Sequence, residues 1–425
     1  MTIVMLITMC LGFALSISVA VSIGLAALLG TWWSNASLLL AVKEIYTSIN
    51  KFPLAAIPFF ILAGNLMETG GISKRLVEFA KSIVGGVQGG LSATCVFTCM
   101  IFAAVSGSSV ATTFAIGAIL IPALVRHGYP KNYAAALQAT SAELGVIIPP
   151  SIPMIIYGVS AEVSIGELFI AGVGPGIFIS LALMAFALVY ARIKGYGKHD
   201  HEGRLGVLTA TRQAGFALFM PVIILGGIYG GIFTPTEASV VAVVYALVVG
   251  LFIHRELSFF DLERIIKKSV ISSTVILFII ANAGLFSYLI TRAGVPDQIG
   301  EFLRVTLDSS FIFLLGVNAA LFVIGMFIET SAAIIVLAPI LAPVAAGFGI
   351  DPVHFGLIMV VNLALGMITP PFGVNLFAAC TVANLSVDDI IPRLIPFIIV
   401  VLSCLMVITY VPEISLWLRD VVYQR

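Results

Sequence analysis

Two proline pairs mark the positions at which this sequence is best able to form a binding site. Pro149-Pro150 follows Leu144-Gly145-Val146-Ile147-Ile148, and Pro370-Pro371 follows Leu365-Gly366-Met367-Ile368-Thr369. Both pairs lie inside apolar stretches. A proline in a helix interior removes a backbone donor and clashes with the preceding turn, at a cost of about 3 kcal/mol or more. Each pair therefore predicts a helix break, whose freed carbonyls and amides could bind an ion or a polar solute.

Two short polar clusters offer hydroxyl and carbonyl oxygens in the same apolar setting. Ser106-Gly107-Ser108-Ser109 separates the apolar arms 90–104 and 110–125. Glu329-Thr330-Ser331 separates the arms 311–328 and 332–346. Each arm is shorter than the roughly 20 residues that cross a bilayer as a helix. We interpret both segments as re-entrant hairpins with polar tips, the alternative being full spans joined by ordinary loops.

Carbonyl and hydroxyl oxygens suit a hard cation such as sodium, and helix N-termini suit a carboxylate. We predict two sodium sites, each between one hairpin tip and one helix break. The residues predicted to form the first site are Ser106, Ser108, Ser109, Gly145 and Ile148. Those predicted for the second site are Thr330, Ser331, Gly366 and Thr369. The alternative is that these residues only satisfy helix ends or ease helix packing.

The substrate cavity is expected beside the breaks. The residues assigned to it are Pro149, Pro150, Ser151, Pro370, Pro371, Asn375 and Glu143. Ionisable residues inside a membrane are functional candidates by default, and Glu143 is the clearest of them. It is a candidate proton or substrate group, or it faces a polar cavity without such a role.

The elements that position these residues must sit in a membrane. The chain has 425 residues, of which 60% are hydrophobic and 10% are charged. Soluble domains carry about 25% charged residues. Lys+Arg and Asp+Glu both number 21, so there is no basic excess to suggest a nucleic acid partner. We predict an all-α polytopic protein that crosses the lipid bilayer at 3–30, 53–68, 133–158, 167–191, 214–231, 236–253, 270–291, 353–380 and 388–411.

The segments between the spans set orientation. Amphipathic pieces at 36–50, 72–86, 256–268 and 295–306 are expected to lie in the membrane interface. The basic loop 192–213 favours the cytoplasmic side. Thr234-Pro235-Thr236-Glu237 predicts a capping box with proline at the first helical position. In the basic loop, His199, Asp200 and His201 are a conceivable metal cluster, but a solvated linker is the preferred interpretation.

An internal repeat relates the two halves. The motif 144–150 recurs at 365–371, and residues from Gly71 to Ser164 have further matches in the same order. An odd number of predicted spans separates the hairpins, so they must enter from opposite faces. This inverted-topology repeat is a frequent plan of secondary transporters. The predicted organisation is a first repeat at 1–191, a cytoplasmic linker and extra helix at 192–235, and a second repeat at 236–425.

These motifs resemble the large membrane subunit of tripartite ATP-independent periplasmic (TRAP) transporters. The resemblance rests on 106–109 with 111–113, on 116–122, on 144–153, and on 365–371 with 375–377. It implies a multi-pass protein of the bacterial inner membrane and sodium-driven uptake by an elevator movement. It also implies a separate small four-helix membrane subunit and a periplasmic substrate-binding protein that delivers an organic acid. The sialic acid members look most similar, with C4-dicarboxylates as the alternative substrate.

Two other classes, an enzyme and a channel, remain as alternatives at this point. An enzyme is disfavoured because the sequence contains no H-E-x-x-H, no P-loop and no G-x-S-x-G motif. An intramembrane serine hydrolase at Ser106 would need a histidine within a spanning segment to activate the serine, and His127, His254 and His354 fall only near span ends. A channel would need neither a delivery protein nor a sodium gradient. Proton coupling through Glu143 is a variant of the transporter hypothesis.

Overall fold

A computed structural model describes residues 1–198, 200, 205–307, 309–371 and 373–424. Its first eleven helices are α1 Thr2–Ala14, α2 Val19–Trp33, α3 Leu38–Ile49, α4 Ala56–Thr69, α5 Ile72–Val84, α6 Gly90–Ser106, α7 Ser109–Arg126, α8 Lys131–Ala142, α9 Leu144–Ile147, α10 Ile152–Ser160 and α11 Ile165–Lys194. The remaining helices are α12 Val207–Tyr229, α13 Pro235–Val248, α14 Phe259–Arg292, α15 Val295–Thr306, α16 Ser310–Gly325, α17 Thr330–Gly347, α18 Pro352–Gly366, α19 Val374–Ala383, α20 Val387–Tyr410 and α21 Glu413–Tyr423.

The helices have the length and composition of membrane spans, as the sequence predicts. Eight are long and apolar enough to cross a bilayer, and nine spans result if the bent pair 131–147 and 152–160 counts as one. The eight include the hairpin arms α7 and α17, which were predicted to be shorter than a full span, whereas the predicted span 353–380 is divided into two shorter helices. These counts cover the described part of the chain. The predicted capping box also forms, with Thr234 and Glu237 each accepting from the other's backbone amide and Pro235 at the first helical position. The all-α multi-pass fold is therefore confirmed.

The N-terminal span is a correction. The apolar stretch 3–30 was expected to cross as one helix, but it forms α1 and α2 as an antiparallel pair. A Cβ on Gly12 would meet Ser22, and one on Gly30 would meet Met5, so the two helices run in opposite directions with small residues at their contact. The chain reverses at Ser16, which has a positive φ of 58°. Hydropathy alone does not reveal this turn, because it contains no proline or charge.

The segment 256–268 is a second correction. It was expected to be a separate interfacial helix, but it is the start of the 34-residue helix α14. Ser258 and Asp261 form a capping box that starts the helix, and nothing between them and Arg292 interrupts it. The other amphipathic segments do form separate helices, which are α3, α5 and α15.

Both hairpins and both helix breaks are present. The second arm of each hairpin packs against the broken helix of its own half and also against that of the other half. The arm α7 packs against α8 and also against α19, which belongs to the second broken helix. Its counterpart α17 packs against α18 and against α10 of the first broken helix. In the same way α2 packs against α14, and α13 packs against α4. This reciprocal packing pairs each half with the corresponding element of the other, and the inverted orientation of the two halves stays a prediction.

Candidate functional site

The tip of the first hairpin is a compact group of oxygens. The Ser106 Oγ lies 3.0 Å from the Thr112 Oγ1. Thr112 Oγ1 in turn donates to the carbonyl oxygen of Ser108 at 2.8 Å. Ser108 also caps α7, because its side chain accepts from the amide of Ala111. All of these groups sit where α6 ends and α7 begins, and Ser106 and Thr112 are buried.

The first helix break lies directly against this tip. A Cβ on Gly145 would be 2.6 Å from the Ser108 carbonyl oxygen and 2.8 Å from the Thr112 Oγ1. A Cβ on Gly107, whose φ is +62°, would be 2.8 Å from the carbonyl oxygen of Pro150. Only glycine allows backbones to approach so closely. The structure therefore brings together Ser106, Ser108 and Gly145, which the sequence predicts as one site.

The first break is enclosed by protein. Residues 141–151 are all buried, and the Pro149-Pro150 peptide bond is cis. Ser151 donates to the Val146 carbonyl at 2.5 Å and accepts from the amide of Met154, so it closes the break and caps α10. The side chain of Ile148 packs towards Gly176 on α11. Ile148 can thus offer the hairpin tip only its backbone.

The second hairpin meets its break through different contacts. Thr330 Oγ1 donates to the Sδ of Met367 at 2.9 Å. A Cβ on Gly366 would lie 2.5 Å from the Cα of Gly325 and 2.7 Å from its carbonyl oxygen. The end of α16 therefore touches the end of α18 backbone to backbone. Met367 and Gly325 are contacts that the sequence did not single out.

Other predicted residues of the second site bond within their own segments. Ser331 Oγ donates to the Glu329 Oε1 at 2.9 Å, and the other carboxylate oxygen of Glu329 caps α17 by accepting from Ala332 N. Thr369 Oγ1 donates to the Leu365 carbonyl at 2.9 Å. Pro370 is half-buried and Pro371 is exposed. The second break is thus more open than the first.

A buried polar chain joins the two halves. Asn375 Nδ2 donates to the Glu143 Oε1 at 2.6 Å. The Oδ1 of Asn375 accepts from Thr113 Oγ1 at 3.2 Å. All three side chains are buried, and Glu143 is 2% exposed. Glu143 and Asn375, which the sequence assigns to the cavity separately, are therefore direct partners across the repeat.

One further residue, Gln138, supports the first tip without having been predicted as a ligand. Gln138 Nε2 donates to the carbonyl oxygen of Thr112 at 3.3 Å, and its Oε1 accepts from the Cys95 thiol at 3.1 Å. The polar atoms of Gln138 thus hold Thr112 in place from α8. A signal was available, because Gln138 is the only amide side chain in the run 134–142, whose other members are Ala, Leu, Thr and Ser.

The conceivable metal cluster of the basic loop is not formed by the residues that can be described. His199 and His201 lie outside the described residues. Asp200, expected in a solvated linker, is buried, where it accepts from the Tyr129 hydroxyl and from the amide of Leu91 at the start of α6. Burial and this hydrogen bond raise the pKa of Tyr129. Within the described ranges, no three His, Cys, Asp or Glu side chains could hold a metal ion.

Comparison with known proteins identifies the class of protein to which this chain belongs. Residues 2–414 match the family model of the tripartite ATP-independent periplasmic transporter, DctM component. The chain belongs to this family. The TRAP large permeases are transporters, so the enzyme and hydrolase alternatives are excluded. Together with the apolar helices, the family also identifies this chain as a multi-pass protein of the bacterial inner membrane.

Curated relatives carry several substrate names. The chain is 43% identical over 403 residues to the isethionate TRAP transporter permease protein DctMQ of Oleidesulfovibrio alaskensis, covering 94% of this chain and 64% of that protein. It is 43% identical to the C4-dicarboxylate TRAP transporter large permease protein DctM of Pseudomonas aeruginosa, covering 90% of this chain and 89% of that protein. It is 36% identical to the sialic acid TRAP transporter permease protein SiaT of Haemophilus influenzae, covering 88% of this chain and 61% of that protein.

A solved structure shares the fold. The Alcanivorax borkumensis YdaH transporter superposes with a TM-score of 0.65 at 13% identity, covering 89% of this chain and 87% of that one. At this identity the likeness concerns architecture alone.

Proposed function

We propose that this chain is the translocating subunit of a sodium-coupled TRAP transporter that imports an organic acid. Its partners would be a small four-helix membrane subunit and a periplasmic substrate-binding protein. The observation that carries the proposal is the contact between the Ser108 carbonyl, the Ser106 and Thr112 hydroxyls and the backbone at Gly145. These are neutral oxygens at a hairpin tip beside a helix break, and the Ser106 and Thr112 side chains are buried.

Sodium fits this oxygen set because carbonyl and hydroxyl oxygens can replace its hydration shell without adding net charge. Broken helices near the membrane midplane, in matching positions of two repeats, commonly mark the ion and substrate sites of transporters. In the second half, the hydroxyl of Thr330 and the backbone at Gly366 occupy the corresponding places. We assign one sodium ion to each half.

Relatives with 43% identity are named for isethionate and C4-dicarboxylates, and the relative named for sialic acid is 36% identical. All three compounds are small organic acids. The higher identities favour isethionate or a C4-dicarboxylate over sialic acid, which the sequence motifs alone suggested. The common chemistry is an anionic group that helix N-termini at the breaks can accept.

An elevator movement is supported by a cavity between two groups of helices. The cavity has a volume of about 680 Å³ and is lined by α3 and α14 on one side and by α10 and α17 on the other. Its polar lining includes Lys51, Ser160 and Ser287. We propose that α10 and α17 move with the hairpins past a frame that contains α3 and α14, and that this cavity gives the substrate access.

Reconstitution in liposomes tests the proposal. The chain would be purified with its small subunit and supplied with its binding protein and labelled isethionate, succinate or sialic acid. We expect uptake of one of them when sodium is higher outside, and none when sodium is equal or absent. Uptake that is independent of sodium, or that proceeds without the binding protein, would contradict the proposal and favour a channel.

A further inference from the structure

A basic cavity lies between the amphipathic helix α5 and the first hairpin. It has a volume of about 530 Å³ and is lined by α5, by the start of α6 and by the second half of α7. Its wall on α5 carries Lys74, Lys81 and one carboxylate, Glu78, and its wall at the end of α7 carries Arg126 and His127. The three lysine and arginine side chains outnumber the carboxylate. The cavity therefore has an excess of positive charge that two separate elements contribute.

These positive charges are not used by the described part of the chain. Lys74, Lys81 and Arg126 form no ion pair with any described residue. The neighbouring Arg75 differs, because it pairs with Glu256 at 2.7 Å. The three cations of the cavity are thus available to an anionic ligand.

The cavity also has an apolar wall that leads away from the charges. Ile119 and Ala123 lie one and two turns before Arg126 on the same face of α7, and all three line the cavity. Because α7 begins at the hairpin tip and ends at Arg126, this wall runs from the charged end towards the tip over about 10 Å. The other apolar lining residues, all of them buried, are Val77, Leu91 and Leu120. Cations at one end and an apolar wall beside them match the two parts of a phospholipid.

The charged end of the cavity lies on the same side of the protein as the basic loop 192–213. Asp200, in that loop, accepts from the amide of Leu91 at 3.0 Å. The other carboxylate oxygen of Asp200 lies 3.3 Å from Nδ1 of His127. The basic loop predicts the cytoplasmic side. We therefore expect the charged end at the cytoplasmic headgroup layer, where anionic lipids attract lysine and arginine.

The second half contains the corresponding cavity with the opposite charge. It lies between α15 and α17 and has a volume of about 240 Å³. Glu301, the repeat counterpart of Glu78, lines it, and Asp297 takes the place of Lys74. Its described lining holds no lysine, arginine or histidine. Ligand pockets usually measure about 300–1,000 Å³, a range that includes the first cavity and not the second. The two halves thus share the cavity but differ in charge and size.

We propose that the cavity between α5 and α7 binds the phosphate headgroup of an anionic phospholipid of the cytoplasmic leaflet, with an acyl chain along the wall of α7. The phosphate oxygens would accept from the ammonium groups of Lys74 and Lys81 and from the guanidinium group of Arg126. Because these cations come from two elements, a bound lipid would hold the interfacial helix against the second arm of the hairpin. This inference is independent of the sodium coupling proposed above.

The chemistry of the cavity distinguishes an anionic lipid from two related ligands. A zwitterionic phospholipid carries the same phosphate, but its own ammonium group compensates the negative charge that the lysines and the arginine would attract. Inorganic phosphate carries the charge but lacks the hydrocarbon that the apolar wall would cover. An anionic phospholipid is the ligand that satisfies both parts of the cavity.

Lipid titration of the purified protein tests the site. The chain with its small subunit, in detergent micelles, would be titrated with phosphatidylglycerol, with phosphatidylcholine of the same acyl chains, or with inorganic phosphate. Binding would be followed by thermal unfolding, because a ligand that binds the folded state raises its stability, and by native mass spectrometry. We expect phosphatidylglycerol to raise the melting temperature at a lower mole fraction than phosphatidylcholine. Inorganic phosphate should not raise it.

Substitutions in the cavity assign the binding to these side chains. Each lysine or arginine near an anionic lipid surface strengthens binding about fivefold, so Lys81→Gln and Arg126→Gln should each weaken phosphatidylglycerol binding by about that factor. Lys81→Arg keeps the charge and should bind like the wild type. Lys267→Gln is the matched control, because Lys267 is an exposed lysine of α14 outside the cavity. It should also bind like the wild type.

Three results would overturn the inference. Equal binding of phosphatidylglycerol and phosphatidylcholine would mean that the cations do not select the lipid. Equal weakening in Lys267→Gln and Lys81→Gln would mean that the charge effect is not specific to the cavity. Stabilisation by inorganic phosphate as strong as that by phosphatidylglycerol would assign the cavity to a soluble phosphate compound. If Lys81→Gln does not fold, Arg126→Gln carries the test, since Arg126 is exposed at a helix end. None of these results bears on sodium-driven uptake, so the proposed function would stand.

Discussion

The two hairpin–break contacts have the same plan but differ in chemistry. In the first half, hydroxyl and carbonyl oxygens of Ser106, Ser108 and Thr112 surround the backbone at Gly145. In the second half, Gly325 and Gly366 touch directly, and the Thr330 hydroxyl meets the sulfur of Met367. The first contact is rich in oxygen and enclosed, whereas the second is tightly packed and ends at the exposed Pro371.

The difference shows how a repeat can preserve geometry while its chemistry diverges. A break opposite a tip is fixed by the prolines and glycines, which both halves retain. The side chains around it are free to change. We therefore expect the first site to respond to substitutions mainly through sodium affinity, and the second mainly through folding.

Gly366→Ala should have the largest effect. Its Cβ would lie 2.5 Å from the Cα of Gly325, so one backbone must move. Over-packing costs about 1–3 kcal/mol, and 1.4 kcal/mol is a factor of ten. We expect a lower yield of folded protein, a lower melting temperature in detergent and a loss of uptake of about tenfold or more. Gly316→Ala on α16 is the control, because nothing lies within 4 Å of its Cβ position. Equal stability of both variants would contradict the expectation.

Gly145→Ala should show that the first site differs from the second in its effect on sodium binding. Its Cβ would press on the Ser108 carbonyl and the Thr112 hydroxyl, which are proposed sodium ligands. We expect the sodium concentration for half-maximal uptake to rise about tenfold, by the same over-packing cost, with a smaller loss of stability than in Gly366→Ala. Sodium titration of uptake and thermal unfolding would be measured on both variants. Unchanged sodium dependence at reduced stability would mean that the first contact is only structural.

Thr112→Val and Thr330→Val compare matched hydroxyls at the two tips. Thr112 bonds to two oxygens, while Thr330 bonds to a thioether sulfur, which is a weak acceptor. A hydrogen bond contributes about 0.5–1.5 kcal/mol, so Thr112→Val should raise the half-maximal sodium concentration about two- to tenfold. Thr330→Val should change it less. A larger effect of Thr330→Val would reverse the proposed contrast.

Gln138→Leu should have the smallest effect, because Gln138 touches the first tip only through the Thr112 carbonyl. We expect about a twofold weaker sodium response, within the free energy of one neutral hydrogen bond. Asn362→Leu is the matched control in the second half, where Asn362 donates to the Asn318 side chain away from the tip. It should alter thermal stability without altering the sodium response. Identical sodium titrations for the two variants would show that Gln138 does not support the first sodium site.

The sequence predicted those parts of the molecule that depend on local backbone chemistry. Proline pairs must interrupt a helix, and short apolar arms beside serines must turn, so the breaks and hairpins were predictable. The turn between α1 and α2 could not be predicted, because Ser16 adopts a positive φ and no proline or glycine in the turn indicates it. The continuity of α14 was missed because charged residues at its start resemble an interfacial helix.

The site was predicted only in part for a similar reason. Ser106, Ser108 and Gly145 could be grouped because each follows from a local signal. The bond between Glu143 and Asn375 joins residues 232 positions apart, and no periodicity encodes such a pair. Thr112 also depends on tertiary geometry, since its hydroxyl becomes important only once the chain has folded back at Gly107. Pairings of this kind require the structure.

The reciprocal packing of α2 on α14 and of α13 on α4 has a consequence for how the protein assembles. Each half buries apolar faces against elements of the other, so we expect that neither half would fold stably when expressed alone. In the predicted inverted repeat, α12 adds the crossing that reverses the second half. The opposed insertion of the two halves would then be built into a single polypeptide.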